Sequence, residues 1–419
     1  MLTMGGLAMA SIDNSADDSD QRFAAYVTAL VSVLGHADRA RPLKDYCTGL
    51  VMPGERKSVE PLAAVTAPGR VCAQHQSLLH FVSRAPWSDE KLLAKVRELV
   101  LPAMGAIEAW IIDDTGFPKK GKHSVGVARQ YCGQLGKQDN CQVAVSLSVA
   151  NHQASLPVAY RLYLPHEWTQ DHARMAQAGV PTGVRFKTKP AIALSQLRAA
   201  CAAGLPRATV LMDCGYGANT QLRTDLTKLG LAYVAGIMPQ TKVVTAAQRQ
   251  AVAVAKLALG LPAKAWHTVM WREGTGGRLA SRFARLRVRA AHRAALPAAD
   301  HRAQEWLLIE WPTGEKQPTK YWLSTLPGDI SFARLVDTAK LRWRIERDYQ
   351  DLKQEVGLGH FEGRSWRGFH HHASLCIAAY GFLVSERETI PPSGPDSACG
   401  LKVSALPQDY RPRGATVAA

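Results

Sequence analysis

The sequence predicts a mixed α/β fold with an all-helical N-terminal region and a β-rich insertion. Three observations carry this expectation. Residues 21–104 set apolar side chains at helical spacing, as in Phe23, Tyr26, Val27, Leu30 and Val31, with breaks near Pro42, Pro53 and Pro68. From Ala106 the texture changes to short apolar runs bounded by turns, which later alternate with helix-period stretches. Between Pro239 and Pro327 that alternation stops and strand-like runs return.

Taken in order, residues 1–20 are expected to be disordered; Met1 to Ala10 lack the basic leader of a secretion signal and run straight into the acidic stretch Asp13 to Asp20. Residues 21–104 form the helical region. Residues 105–238 open the core with three strands in succession, Ala109 to Ile112, Cys141 to Ala150 and Leu156 to Leu164. In the middle one, Val143, Val145, Leu147 and Val149 alternate onto one face. A helix from Lys189 to Ala203, a strand from Ala208 to Met212, a helix from Leu222 to Leu229 and a strand from Leu231 to Ile237 complete a mixed sheet. The insertion, 239–327, holds a helix from Ala246 to Leu259, a basic patch from Arg278 to Arg293, and strands Trp306 to Trp311 and Tyr321 to Leu326. Residues 328–388 return to the core through helices Phe332 to Val356 and His370 to Val384, and 389–419, rich in Pro, Gly and Ser, make a flexible tail.

At 419 residues with 47% hydrophobic and 21% charged residues, the chain has the composition of a folded protein of two or three units. Its 51 Lys and Arg against 35 Asp and Glu leave a formal charge of +16. Such a balance favours a polyanion, nucleic acid above all, as partner. The helical region is then either a scaffold or a reader of nucleic-acid ends. No apolar run approaches the roughly 18 to 20 residues needed to cross a bilayer. The eight cysteines, with no CxxC pair, read as reduced thiols of a cytoplasmic protein.

Three stretches carry chemistry. In Trp110-Ile-Ile-Asp-Asp-Thr-Gly a buried-type strand ends in two acids, and Thr209-Val-Leu-Met-Asp213 repeats the arrangement. An acid at the end of a core strand is costly without a cation beside it, although a single one is more often a cap. Two such strands in one sheet lie ~4.8 Å apart, close enough for their carboxylates to share cations. The third stretch is helical: Arg342, Glu346, Tyr349 and Lys353 fall on one stripe, with Leu341, Ile345, Leu352 and Val356 beside it. Alone, this is an ordinary solvated face with an Arg–Glu pair.

Together these stretches resemble the DDE transposases of the IS4-like group, most closely the IS701 family, over roughly Gln21 to Val384. The resemblance extends through Asp-Asp-Thr-Gly-Phe-Pro-Lys-Lys-Gly, through Gly121-Lys-His-Ser-Val-Gly-Val-Ala-Arg-Gln-Tyr-Cys-Gly, and through His360-Phe-Glu-Gly-Arg-Ser-Trp-Arg-Gly-Phe-His-His-His. It implies that Asp114, Asp213 and Glu346 are the catalytic acids and the ligands of two Mg2+ ions, with Mn2+ able to substitute. Asp113 competes for the first position, because strand neighbours point to opposite faces, but the family's Asp-Thr step matches Asp114. The family signature of Tyr, Arg, Glu and Lys is kept at Arg342, Glu346 and Lys353, while its Tyr position is Ala339. An RNase H-like core interrupted by the insertion, double-stranded DNA as substrate and a dimer in the synaptic complex are further implications. Lys119, Lys120, Lys122, Arg342, Lys353, Arg364 and Arg367 are then the expected DNA-phosphate contacts. A DNA-binding relic without catalysis is the alternative, and a two-carboxylate hydrolase is a third.

Other signals fail on inspection. Gly116 to His123 comes near a phosphate-cradling loop, but His123 stands where a hydroxyl should bind Mg2+ and Pro118 sits inside. His370 to His372 are consecutive on a helix, so they face different directions and cannot chelate together. They are expected at an interface or facing phosphate. No Gly-x-Ser-x-Gly elbow is present.

Overall fold

The N-terminal apolar periodicity is realised as helix after helix. The structure, a computed structural model, describes residues 7–246, 248–274, 277–291 and 303–389. Helices α1 (Leu7–Val31), α2 (Ala40–Val51), α3 (Val59–Thr66), α4 (Val71–Ser83) and α5 (Asp89–Met104) precede the first strand. α1 starts inside the stretch expected to be disordered. Its acidic end is tied down: Ser19 donates to Glu386 at 2.8 Å, and Arg22 pairs with Glu386 at 2.7 Å. Residues 1–6, and nearly all of the tail expected to be flexible (390–419), lie outside the described residues.

The strands are β1 (Ala109–Pro118), β2 (Ala128–Cys132), β3 (Lys137–Ala150), β4 (Ser155–Leu162), β5 (Thr209–Met212), β6 (Tyr233–Ile237), β7 (Lys242–Thr245), β8 (Gln248–Ala253), β9 (His267–Gly274), β10 (Gly277–Ala290), β11 (Glu305–Pro312) and β12 (Lys320–Ser324). Between and after them run α6 (His166–Gln170), α7 (His172–Gln177), α8 (Lys189–Ala202), α9 (Cys214–Gly217), α10 (Thr220–Lys228), α11 (Val254–Leu259), α12 (Phe332–Lys340), α13 (Arg344–Gln354) and α14 (Trp366–Thr389). Among the described residues one mixed sheet takes in all the strands, in the order β2-β3-β1-β5-β6-β12-β11-β10-β7-β8, with β4 on β3 and β9 on β10. The pairs β1/β5 and β5/β6 are parallel, and the other pairs are antiparallel. The path β4-β3-β1-β5-β6 is consistent with the RNase H-like order that the sequence resemblance implies.

Register assigns the two faces. Trp110, Ile112 and Asp114 stand beside Val149, Leu147 and Val145, a face closed by α8, whose Gln196 donates to the Val145 carbonyl at 3.0 Å. Ile111, Asp113 and Thr115 stand beside the small residues Ser148, Ser146 and Ala144. Over that opposite face lie α12, where Leu335 and Val336 pack with Ile111 and Leu211, and α13, whose Tyr349 shares a 2.7 Å hydrogen bond with Ser146. α14 is buried on nearly all sides, as expected of a helix apolar all round. It packs between β4 and the N-terminal helices, where the Tyr26 hydroxyl donates to the Ala378 carbonyl at 2.9 Å.

Three sequence expectations are corrected. The helix expected from Ala246 to Leu259 is half strand: β8 pairs with β7, Val252 opposite Val243, and helix begins only at Val254, because the β7 edge takes up the backbone before it. The basic patch is chiefly the long strand β10, paired on both edges, while Arg293 lies outside the described residues. The helix expected from Phe332 to Val356 is broken by a 3-10 turn, Leu341–Trp343, which re-aims α13 across the sheet.

Candidate active site

Strand β1 runs past both aspartates to Pro118, so neighbouring side chains there must diverge. Its parallel pairing with β5 ends at Ile112 and Met212, and the next residues in register are Asp113 and Asp213. Cross-strand partners share a face, so these two carboxylates stand side by side. Asp113 answers to its surroundings: burial lifts its pKa to about 7, with Arg342 opposing and Asp213 adding to the rise. Its Oδ2 accepts from Arg342 at 3.0 Å and its Oδ1 from the Asp114 amide at 2.8 Å.

Asp213 caps α9, accepting from the Tyr216 amide at 3.2 Å. That turn lies hard against β6: a Cβ on Gly217 would meet the Gly236 carbonyl oxygen at 2.0 Å, and one on Gly236 would meet the Cys214 nitrogen at 2.8 Å. Glycine at both positions lets the two backbones approach and so sets the level of Asp213.

Glu346 arrives on α13. Its Oε1 accepts from the other amino group of Arg342 at 3.0 Å, so one guanidinium joins Asp113 to Glu346. Burial works against charge on Arg342, yet Asp113, Glu346 and Asp213 together raise its pKa above the usual value. The Glu346 side chain keeps 67% of its exposure, against 17% for Asp113, so it alone among the three is free to move. Asp213, Arg342 and Glu346 line a cavity of about 340 Å³ with Lys340, Trp271, Trp322 and Trp343. Lys340 is held by Glu310 at 2.7 Å and lies 3.8 Å from the Trp271 ring centre. Among the described residues no group of three or more His, Cys, Asp or Glu is arranged to hold a metal ion.

Asp114, the expected first acid, is not brought to this cluster. It faces α8 and α9 on the other side of the sheet, accepting from the Tyr216 hydroxyl at 3.1 Å and pairing with Lys189 at 3.0 Å. The strand register separates the two: continued from Ile112 and Met212 it pairs Asp213 with Asp113, and no signal in the sequence fixes that register.

The expected phosphate contacts divide. Lys120, Lys122, Arg364 and Arg367 are exposed, although Arg367 donates to the Arg84 carbonyl at 2.8 Å. Lys119 instead spends its ammonium on the Phe361 carbonyl at 2.9 Å, and burial lowers its pKa. Lys353 donates to the Gly116 carbonyl at 2.8 Å beside the Phe117 ring, and burial brings its pKa down to about 8. Lys353 thus holds the end of β1, and Lys119 the start of the loop that follows. Ala339 is nearly fully buried on α12 but lines the cavity with its methyl group, and Trp343, one turn on, lines it with an aromatic ring.

His370, His371 and His372 are all buried, contrary to the expectation of an interface or phosphate-facing role. His370 accepts from the Leu162 amide at 3.2 Å and bonds the Trp366 carbonyl at 2.9 Å, while His372 bonds Tyr46 and the Gly357 carbonyl. They are structural groups of α14. No helix of the described residues is long and apolar enough to cross a membrane.

Comparison with known proteins agrees with the resemblance read from the sequence. Residues 186–382 match the family described as Transposase DDE domain, and residues 29–278 match the DDE superfamily endonucleases. Over 191 residues the chain is 31% identical to the probable transposase for insertion sequence element IS701 from Microchaete diplosiphon. That alignment covers 45% of this chain and 46% of the relative, so the chain spans under half the length of the curated relative it matches. With the endonuclease match covering more than half of its residues, the chain belongs to the DDE superfamily of endonucleases.

Proposed function

We propose that the chain is a transposase with an RNase H-like core, residues 105–238 and 328–388, interrupted by the insertion 239–327. It cleaves the double-stranded DNA ends of its element and joins them to target DNA, working as a dimer in the synaptic complex. The observation that carries this reading is the Arg342 guanidinium joined to Asp113 and Glu346, with Asp213 in register beside Asp113.

The donor set fits divalent metal. Asp113 and Glu346 share the Arg342 guanidinium, and the charge of Asp213 adds to the need of buried Asp113 for a counter-charge, which Arg342 supplies where a cation would sit. The ligands are therefore Asp113, Asp213 and Glu346, with Asp113 in place of Asp114. When bound, two Mg2+ ions would activate the attacking water or 3′-hydroxyl and stabilise the leaving oxygen. The chain's own residues do the placing. Gly217 and Gly236 set the height of Asp213, the 3-10 turn aims Glu346 at the strand ends, and Arg342 holds the acids until metal and phosphate take its charge. The exposed Lys120 and Lys122 are read as phosphate contacts beside the first acid.

A duplex carrying the element's terminal repeat tests this. Cleavage should need Mg2+ or Mn2+, stop with EDTA, and be lost in Asp213→Asn and Glu346→Gln while binding persists. Binding without cleavage by the wild-type chain under every metal would instead favour the DNA-binding relic.

A further inference from the structure

A run of cations follows the first acids. Between Asp114 and Asp139 the chain carries Lys119, Lys120, Lys122, Arg129 and Lys137 and no Asp or Glu. The run spans the end of β1, the lysine loop, β2 and the turn into β3. Asn140 on β3 gathers these pieces: its side-chain amide donates to the Lys119 carbonyl at 2.6 Å and to the Gly121 carbonyl at 3.0 Å. Arg129 stands beside Asn140 in register, so an exposed guanidinium shares the side from which Asn140 reaches the loop that presents Lys120 and Lys122. Lys137 is paired with Asp139 at 3.3 Å and stands apart from that set.

The tip of the β2/β3 hairpin holds two apolar side chains out in water. Along β2 burial alternates: Ala128 and Cys132 are buried, whereas Arg129 and Tyr131 are exposed. Tyr131 keeps 59% of its exposure, and Leu135, in the turn, keeps 42%. The turn beneath them is fixed. Leu135 donates its amide to the Cys132 carbonyl at 3.0 Å, and Gly136 takes the left-handed conformation (φ 65°) that brings the chain back into β3.

That tip reaches back to the catalytic strand. A Cβ on Gly116 would meet the Cys132 sulfur at 2.8 Å and its Cα at 3.3 Å, so glycine there lets the tip close onto β1. Lys353 of α13 donates to the Gly116 carbonyl at 2.8 Å and to the Gln134 side chain at 3.3 Å, tying tip, strand and the helix of Glu346 together. Gly116 is three residues beyond Asp113, about 10 Å along the strand, a length equal to about three nucleotide steps of 3.4 Å. Single exposed apolar residues call for no partner. A pair on a rigid tip, flanked by cations and beside acids that face a phosphodiester, has the make-up of a side-chain wedge for a base stack.

We propose that Tyr131 and Leu135 enter the duplex about three base steps from the bond being cut and unstack it there, while Lys120, Lys122 and Arg129 hold the neighbouring phosphates. The wedge rests on the DNA-cleaving reading above and adds a contact to bases where the lysine loop supplies only contacts to phosphate. Opening the stack lets the strand bend toward Asp113, Asp213 and Glu346. DNA already unpaired at those steps has no need of it.

The test binds the full chain, in EDTA, to terminal-repeat duplexes with thymine placed at each of the first six positions from the cut, and marks unstacked thymines with permanganate. Reactivity two to four steps from the cut is expected for wild type and for Tyr131→Phe, and is lost when Tyr131→Ala and Leu135→Ala are combined. In Mg2+ that double variant should cut paired duplex about tenfold more slowly, the scale of one lost stacking contact, and recover on duplex mismatched at those steps. A wild-type complex with the permanganate pattern of free duplex overturns the wedge, whatever the variants' folding, as does a double variant that marks and cuts like wild type. If the pair instead covers a second copy of the chain, the double variant loses mass in light scattering while its permanganate pattern stays, which also overturns it. A wild-type chain that binds no duplex at all overturns the DNA-cleaving reading itself.

Discussion

Asp113 and Asp114 are adjacent carboxylates with different work. Asp113 shares a face with Asp213 and the Arg342 guanidinium, whereas Asp114 pins Tyr216 and Lys189 on the opposite face. Asp113→Asn is expected to cut metal-dependent cleavage by on the order of 10²- to 10³-fold, the scale seen when one preorganised electrostatic group is lost. Asp114→Asn keeps a hydrogen-bond acceptor for Tyr216 and loses only one partly exposed ion pair. It should cost about 1 kcal/mol or less in thermal or urea unfolding and leave cleavage within a few-fold of wild type. The reverse ranking of the two variants would return the first acid to Asp114. Sequence matching favoured Asp114 because the Asp-Thr step carries no information on which way a strand residue points. Glu346 and Asp213, by contrast, sit at element ends where the pattern itself gives direction.

Among the elements, the short turn after β5 is the most tightly constrained. Gly217→Ala would drive a methyl into the Gly236 carbonyl at 2.0 Å, and rigid backbone on both sides leaves no easy escape. A loss of on the order of 3 kcal/mol is expected in denaturant unfolding, with cleavage falling further because Asp213 caps the same turn. α14 yields a pH prediction. Burial holds His370 and His372 neutral, each with its pKa lowered from 6.5 to about 4. The unfolded chain therefore takes up protons that the folded chain refuses between about pH 6.5 and 4. Their contribution to stability is complete above that window and is lost as pH falls through it, by on the order of 3 kcal/mol per histidine at the lower end. Unfolding midpoints measured from pH 7 to 4 should show the decline, and His372→Gln should shallow it. Most strands and core helices were legible because apolar alternation and helical spacing are local. β8, β9 and most of β10 were not: although β8 and β9 pair with close neighbours in the chain, β8 and β10 are rich in Ala, Arg and Gln, and β9 lacks a clean apolar alternation.

Across the whole molecule, one sheet joins the acids to the charged insertion. The ladder from β1 through β5, β6, β12 and β11 to β10 runs without a break, and Asp113 and Asp213 lie one residue beyond its β1/β5 end, in line with Gly236, Trp322, Leu308 and Arg285. Such continuity ties residues 239–327 to the strands that carry the acids. Composition alone showed the charge but not its placement on the acids' side, since register decides that. Everything depends on Asp113, Asp213 and Glu346 receiving metal where Arg342 now stands. A crystal of the protein soaked in Mn2+ and measured at the manganese absorption edge addresses this directly. Anomalous peaks ligated by Asp113, Asp213 and Glu346, with Arg342 displaced, are the result expected; manganese at Asp114, or none while Arg342 still joins Asp113 to Glu346, would contradict it.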